Sequence, residues 1–208
     1  MAHHTIVTIS RQFGSGGRQI GKLLAEKLGV PFYDKELISM AAQESGLDEE
    51  VLEEVDERPS SLLYALSIGM YSSPAQLQYN ETLPMNDRVF FIQSNIIRRA
   101  AKQGSCVVIG RCADFVLQNN PDAVHVFVQA DLPFRVRRAV EQYGLPAEKA
   151  ESMVLRTDRQ RASYHNFYAD KKWGKLENYH LVLNSGFVGI ENAAELIGRF
   201  AEMRANRP

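Results

Sequence analysis

The segment TIVTISRQFGSGGRQIGKLLAEKLG, Thr5 to Gly29, decides the fold. Its opening TIVTIS (Thr5 to Ser10) is β-branched and apolar and predicts a strand. QFGSGG breaks that pattern, and from Arg18 the residues Ile20, Leu23, Leu24 and Leu28 recur at helical spacing until Gly29 stops the helix. A strand, a run of small residues and a helix bring several backbone N–H groups and the positive end of a helix dipole to one point, which makes an anion cradle. The plain alternative is a glycine turn that only lets the helix pack on the strand.

Outward from this unit, VPFYD (Val30 to Asp34) predicts a short second strand ending in an acid. From Lys35 to Asn86 the character shifts, first to acidic helical stretches and then to a Ser/Pro/Tyr/Met-rich stretch holding LLYALSIGMY, and the segment reads as a mobile insertion rather than core. A helix is predicted over 87–103, with Val89, Phe90, Ile92, Ile96, Ile97 and Ala100 as its apolar stripe. CVVIG (Cys106 to Gly110) and AVHVFVQA (Ala123 to Ala130) are continuous apolar runs suited to a parallel sheet buried on both faces. Two basic helices follow, one between Asp131 and Gly144 and one from Pro146 to about Tyr168; then come a last strand, YHLVLNS, and a closing helix, IENAAELIGRFAEMRA. Strands alternating with helices predict a parallel α/β sheet with right-handed crossovers.

With 208 residues, 45% hydrophobic and 24% charged, the chain is long enough for one well-buried core. The net charge of −1 supplies no global basic field, so neither a nucleic-acid polymer nor a membrane surface is an expected partner. Any anion site must be local. Cys106 and Cys112 fall in no zinc spacing and are expected to be two reduced thiols. The start of the chain lacks the pattern of an export signal, and there is no apolar run of about 18 residues, so a cytoplasmic protein is expected.

The glycine loop matches neither familiar phosphate pattern. The dinucleotide fingerprint G-x-G-x-x-G needs a glycine where Gln19 stands, which disfavours a dinucleotide oxidoreductase although Asp34 sits about where a ribose-binding acid would. The Walker pattern G-x-x-x-x-G-K-[ST] needs a Lys-Ser or Lys-Thr pair that does not follow these glycines. Phosphoryl transfer also needs positioned cations. LRTDRQRASYHNFYADKKWG supplies Arg156, Arg159, Arg161, Lys171 and Lys172, with Asp158 placed to orient an arginine; a solvated basic helix face is the competing reading. Arg111 follows a buried strand, at the edge where open α/β sheets bind ligands. Asp34 has a plainer reading as a helix N-cap, Trp173 as an anchor returning the chain to the sheet, and His165 and His180 as surface or structural residues. Cys112, beside a predicted pocket, is expected to be the accessible thiol of the two.

In combination the strand, the GSGGR loop, KLLAEKLGVPFYD, CVVIGR, R-x-D-R-x-R and WGKLENYHLVLNS resemble the cytidylate kinase-like proteins, a branch of the P-loop nucleoside monophosphate kinases. The resemblance implies a P-loop NTPase-type three-layer α/β sandwich in a single domain, residues 1–208. It would have a five-stranded parallel sheet, a monophosphate-binding insertion at 35–86 and a lid at 156–173. It implies transfer of the γ-phosphoryl of ATP to CMP or dCMP, with Mg2+. The phosphate loop would be Gly14, Ser15, Gly16, Gly17, Arg18 and Gln19, the catalytic cations Arg18, Arg156, Arg159 and Arg161, and the acceptor contacts Asp34 and Arg111. Against the loop GPSGSGKST, Gly17 takes the place of the lysine and Arg18 that of the metal-binding serine, so Arg18 is expected to stand in for the lysine. Ser10, Ser15 and Gln19 are the nearby side chains that could meet the metal. Cys112 stands where an aspartate usually follows the arginine. Two other readings stay open: a nucleotide-binding regulatory module with little turnover, and a P-loop kinase of another small phosphate acceptor.

Overall fold

The computed structural model describes residues 4–58 and 84–205. The apolar stretch LLYALSIGMY and the rest of residues 59–83 lie outside the described residues. Five strands, β1 (Ile6–Arg11), β2 (Phe32–Tyr33), β3 (Cys106–Ile109), β4 (Ala123–Gln129) and β5 (Leu181–Asn184), form one parallel sheet in the order β2-β3-β1-β4-β5. The helices are α1 (Gly17–Leu28), α2 (Glu36–Ser45), α3 (Glu49–Val55), α4 (Met85–Gln103), α5 (Ala113–Val116), α6 (Leu132–Tyr143), α7 (Ala147–Ala169), α8 (Ser185–Val188) and α9 (Ile190–Ala205). The closing helix coincides with its predicted segment, β1 keeps its predicted length one residue further along, and the other strands are one to three residues shorter than predicted.

The sheet separates two apolar layers because successive strand residues point to opposite faces. Val7, Ile9, Val107, Ile109, Val124 and Val126 face Ile20 and Leu24 of α1 and Ile197 of α9. Ile6, Cys106 and Val108 face the other way, onto Ile92, Ile96 and Ile97 of α4. The same layer includes Leu37, Ile38 and Ala41 of α2 and Leu52 of α3, each almost wholly buried. The described start of the 35–86 segment is therefore core, contrary to the sequence reading. Its acidic outer face outweighs its narrow apolar stripe in composition, yet that stripe closes the second layer.

The chain leaves β1 for the β2 edge and leaves β3 for β4 on the far side of β1. Connections diverging in this way open a crevice at the carboxyl edge of the sheet. Arg11 ends β1, Asp34 follows β2 and Arg111 follows β3, so all three gather at that edge.

Candidate phosphate and acceptor cleft

The glycine loop is built by close packing as much as by turn chemistry. Gly14 and Gly16 have left-handed backbones, with φ of 78° and 80°. A Cβ on Gly14 would lie 2.5 Å from the Arg135 carbonyl oxygen. The loop is then clamped from outside. Asp158 of α7 accepts the Phe13 amide at 2.7 Å and pairs with Arg135 Nη1 at 2.5 Å, while Arg135 Nη1 also donates to the Phe13 carbonyl at 3.3 Å. The buried Ser185 hydroxyl donates to the Ser15 carbonyl at 2.5 Å. Asp158 thus orients Arg135, not its helix neighbours Arg156 and Arg159.

Around the loop lies a cleft of about 250 Å3 lined by Arg11, Gly14, Gly16, Gly17, Arg18, Asp34, Lys35, Asp56, Glu57, Arg111 and Arg161, among others. A larger cleft of about 410 Å3 surrounds Ala123, Val124, His180, Phe200, Met203 and Arg204. That one sits at the amino ends of β4 and β5, away from both the glycine loop and the crevice, so the smaller, charged cleft is the candidate site.

Its charges interlock. Arg111 donates from Nη1 to Asp34 at 2.8 Å and from Nη2 to Asp56 at 2.7 Å, with its Nε 3.3 Å from the same Asp56 carboxylate. Glu57 accepts from Arg11 Nη1 at 2.7 Å and Nη2 at 3.3 Å, and from the Arg111 amide at 3.2 Å. Arg161 Nε lies 3.3 Å from Glu57 without hydrogen-bond alignment, and its Nη1 donates to the Arg11 carbonyl at 3.2 Å. Arg18 Nε donates to Asp34.

Burial alone would push the Glu57 carboxyl up, but Arg11, Arg161 and Arg111 hold it far below the ordinary carboxylate range. Asp34 also stays low, because Arg111, Arg11 and Arg18 outweigh its desolvation. Burial opposes the Arg111 charge, and Asp56, Glu57 and Asp34 more than restore it. Arg161 is brought down to about 10, chiefly by burial and by the neighbouring Arg11.

The Gly110-Arg111-Cys112 turn carries φ of 68°, 49° and 54°, so two non-glycine residues hold left-handed backbones beside the site. Each such residue costs on the order of 1 kcal/mol, held here by the ion pairs of Arg111 and the burial of Cys112. Asp34 does not cap α2, whose N-cap is Lys35 without a side-chain bond; its carboxylate is committed to the arginines.

The structure brings Gly14, Gly16, Gly17, Arg18, Asp34, Arg111 and Arg161 to one cleft. Ser15 is fully buried beneath the loop, its hydroxyl donating to the Gln12 carbonyl, and Gln19 is exposed and accepts from Arg138. Arg156 and Arg159 are exposed and do not line the cleft. Arg11, Asp56 and Glu57 escaped the sequence reading, although an arginine in the place of the first Walker glycine was a visible signal for the first of them.

Other expectations resolve locally. Cys112 is buried and its thiol is pushed well up by that burial, so it is not accessible; burial likewise raises Cys106 to about 11, and both cysteines are free. Trp173 packs edge-on against Phe127 of β4 and anchors the return from α7 to the sheet. His165 is buried, 2.7 Å from Asp114, which accepts from Ser10 at 3.5 Å.

A magnesium cage is not formed by these side chains. Among the described residues no group of three His, Cys, Asp or Glu could hold a metal ion. Ser10 and Ser15 donate to protein acceptors, Gln19 faces Arg138, and each cleft carboxylate is taken by an arginine. No helix among the described residues is long and apolar enough to cross a membrane.

The sequence profile of the cytidylate kinase-like family matches residues 6–186. The cytidylate kinase of Ignicoccus hospitalis is 26% identical over 196 residues, covering 94% of this chain and 98% of that protein. The cytidylate kinase of Archaeoglobus fulgidus is 27% identical over 203 residues, 95% of each chain. Among solved structures, an uncharacterized protein from Eubacterium ventriosum superposes with a TM-score of 0.71 at 27% identity, over 95% of this chain and 98% of that one. Shikimate kinase from Bacteroides thetaiotaomicron superposes with a TM-score of 0.54 at 15% identity, over 95% and 98%, a likeness of fold.

Proposed function

This chain belongs to the cytidylate kinase-like family, and from that premise we propose that it is an ATP-dependent phosphotransferase whose acceptor is a nucleoside monophosphate, CMP or dCMP. The observation that carries the reading is the single cleft in which the glycine loop faces the Arg111–Asp34 pair. A donor phosphate fits the loop's N–H groups at the start of α1, and an acceptor fits the charged side, where Arg111 meets Asp34 across 77 residues of sequence.

In this reading the loop residues Gly14, Ser15, Gly16, Gly17, Arg18 and Gln19 surround the donor phosphates, largely through backbone. Arg111 and Asp34 address the acceptor. Residues 156–173 act as a lid, and of the lid arginines we assign Arg161 to the transferred group, since it already lines the cleft. Arg156 and Arg159 are exposed outside the cleft. Transfer is in-line, by positioning and charge neutralisation without a covalent intermediate. Magnesium accompanies the ATP phosphates rather than a protein cage, and soluble cytoplasmic chemistry fits small nucleotide substrates.

Two observations favour weak turnover as a second reading: the Walker lysine is replaced by Gly17, and the cleft arginines are neutralised by carboxylates. The test is coupled ADP release with MgATP and each of CMP, dCMP, UMP, AMP and GMP, beside a thermal-shift series with the same ligands. Stimulation by CMP or dCMP alone is expected. Thermal stabilisation without ADP release would favour a regulatory nucleotide-binding module, and turnover that no monophosphate stimulates would point to another small acceptor.

A further inference from the structure

The Walker pattern places a glycine at the end of its strand and a lysine after its last glycine. Here Arg11 occupies the first place and Gly17 the second, and the two exchanges are reciprocal in space. A Cβ on Gly17 would lie 2.5 Å from the Arg11 Cβ and 3.1 Å from its Cγ. No side chain at 17 can coexist with that of Arg11 as it lies here, and the Arg11 stem begins 2.5 Å from where a lysine stem at 17 would begin. Unlike Gly14 and Gly16, Gly17 has no left-handed backbone, so it is glycine for room rather than for conformation.

We propose that Arg11 is the phosphate-binding cation of this loop, doing from the end of β1 what a lysine after the glycines does in the Walker pattern. The proposal rests on the reading that donor phosphates occupy the loop. The Arg11 side chain is only 10% exposed and lines the same cleft as the loop glycines. Its fork already grips an oxyanion, since both Nη atoms donate to the two oxygens of the Glu57 carboxylate. That two-point grip is the one a guanidinium offers to phosphate. Gly110 is shaped for this pair: a Cβ there would meet both the Arg11 guanidinium and a Glu57 oxygen. Arg18 is 57% exposed and turned to Asp34, on the acceptor side, so it does not take the lysine's part. Glu57 therefore holds the place of the phosphate until nucleotide displaces it.

The test is calorimetric titration of the full chain with MgATP, with circular dichroism as a check on folding. Wild type is compared with Glu57→Gln, with Arg11→Gln/Glu57→Gln, and with the Arg11→Gly/Gly17→Lys exchange. Glu57→Gln removes the competing carboxylate and should bind MgATP several-fold tighter. Arg11→Gln/Glu57→Gln should bind at least about tenfold more weakly than Glu57→Gln, as loss of a hydrogen bond to a charged group implies. The exchange variant restores the Walker arrangement and should bind MgATP about as wild type does. Wild type without MgATP binding would overturn the donor-site reading itself. If wild type binds, Arg11→Gln/Glu57→Gln matching Glu57→Gln would overturn the role of Arg11 and leave that reading standing. If the Arg11→Gln/Glu57→Gln chain does not fold, the sign of the Glu57→Gln effect decides: tighter binding supports the role, and unchanged or weaker binding overturns it.

Discussion

Asp158 accepts the backbone amide of Phe13 at 2.7 Å across 145 residues of chain, so helix α7 holds the glycine loop by its main chain. The same carboxylate neutralises the buried Arg135, which also donates to the Ala130 carbonyl at 2.9 Å. Removing Asp158 would leave Arg135 charged and uncompensated, and breaking one side of a buried pair costs about 3–5 kcal/mol. Asp158→Ala should therefore lower the thermal midpoint strongly, whereas Asp158→Asn keeps an acceptor for Phe13 and should fall between. Equal midpoints for wild type and Asp158→Ala would show that the clamp contributes nothing.

Two glycines with similar left-handed backbones separate conformation from packing. Gly29 caps α1 at φ 64° with nothing within 4 Å of an added Cβ, so Gly29→Ala should cost about 1–2 kcal/mol from backbone alone. Gly14 has φ 78°, but its Cβ would press on the Arg135 carbonyl, which is backbone and cannot turn aside. Gly14→Ala should cost clearly more, and should weaken nucleotide binding as well. Urea midpoints of the two variants check the first difference and thermal shifts with MgATP the second.

What the sequence made legible was whatever local periodicity encodes: the opening strand, loop and helix, the apolar strands β3 and β4, and a closing helix matched to the residue. The core role of α2 and α3 was hidden because Leu37, Ile38, Ala41 and Leu52 are a minority among acidic and polar neighbours. The charge network was hidden for a different reason. Arg11 meets Glu57 across 46 residues, Arg111 meets Asp56 across 55, and Arg161 meets the Arg11 carbonyl across 150. No local pattern records such partners. Arg156 and Arg159 show another limit of local pattern: their i, i+3 spacing marks a shared face but not which way that face looks, and both are exposed outside the cleft.

Arg18 and Asp34 offer a test of which substrate each side of the cleft serves. Their ion pair lies on the side of the cleft proposed for the acceptor, and the Arg18 side chain is largely exposed. Arg18→Ala should raise the KM for the monophosphate several-fold while changing kcat much less, the pattern of lost uniform binding. An equal fall in kcat and in kcat/KM would instead put Arg18 at the transferred phosphoryl group, as the sequence suggested.

The pH dependence of stability should show two separable windows. Burial, with His180 beside it, lowers His125 from 6.5 to about 4, so the folded state binds that proton less readily than the unfolded chain. Its contribution is complete above 6.5 and is lost progressively as pH falls toward 4. Glu57 and Asp34 are also depressed, from 4.5 and 3.8, so their contribution is present above those values and drains away only in stronger acid. Urea midpoints measured from about pH 7 down to about pH 3 should thus fall in two stages. His125→Gln should flatten the upper stage and leave the lower one. Glu57→Gln should be less stable than wild type at neutral pH, because Arg11 and Arg161 lose their counter-charge, and should flatten the lower stage. A Glu57→Gln profile parallel to wild type throughout would mean that Glu57 is not held ionised by those arginines.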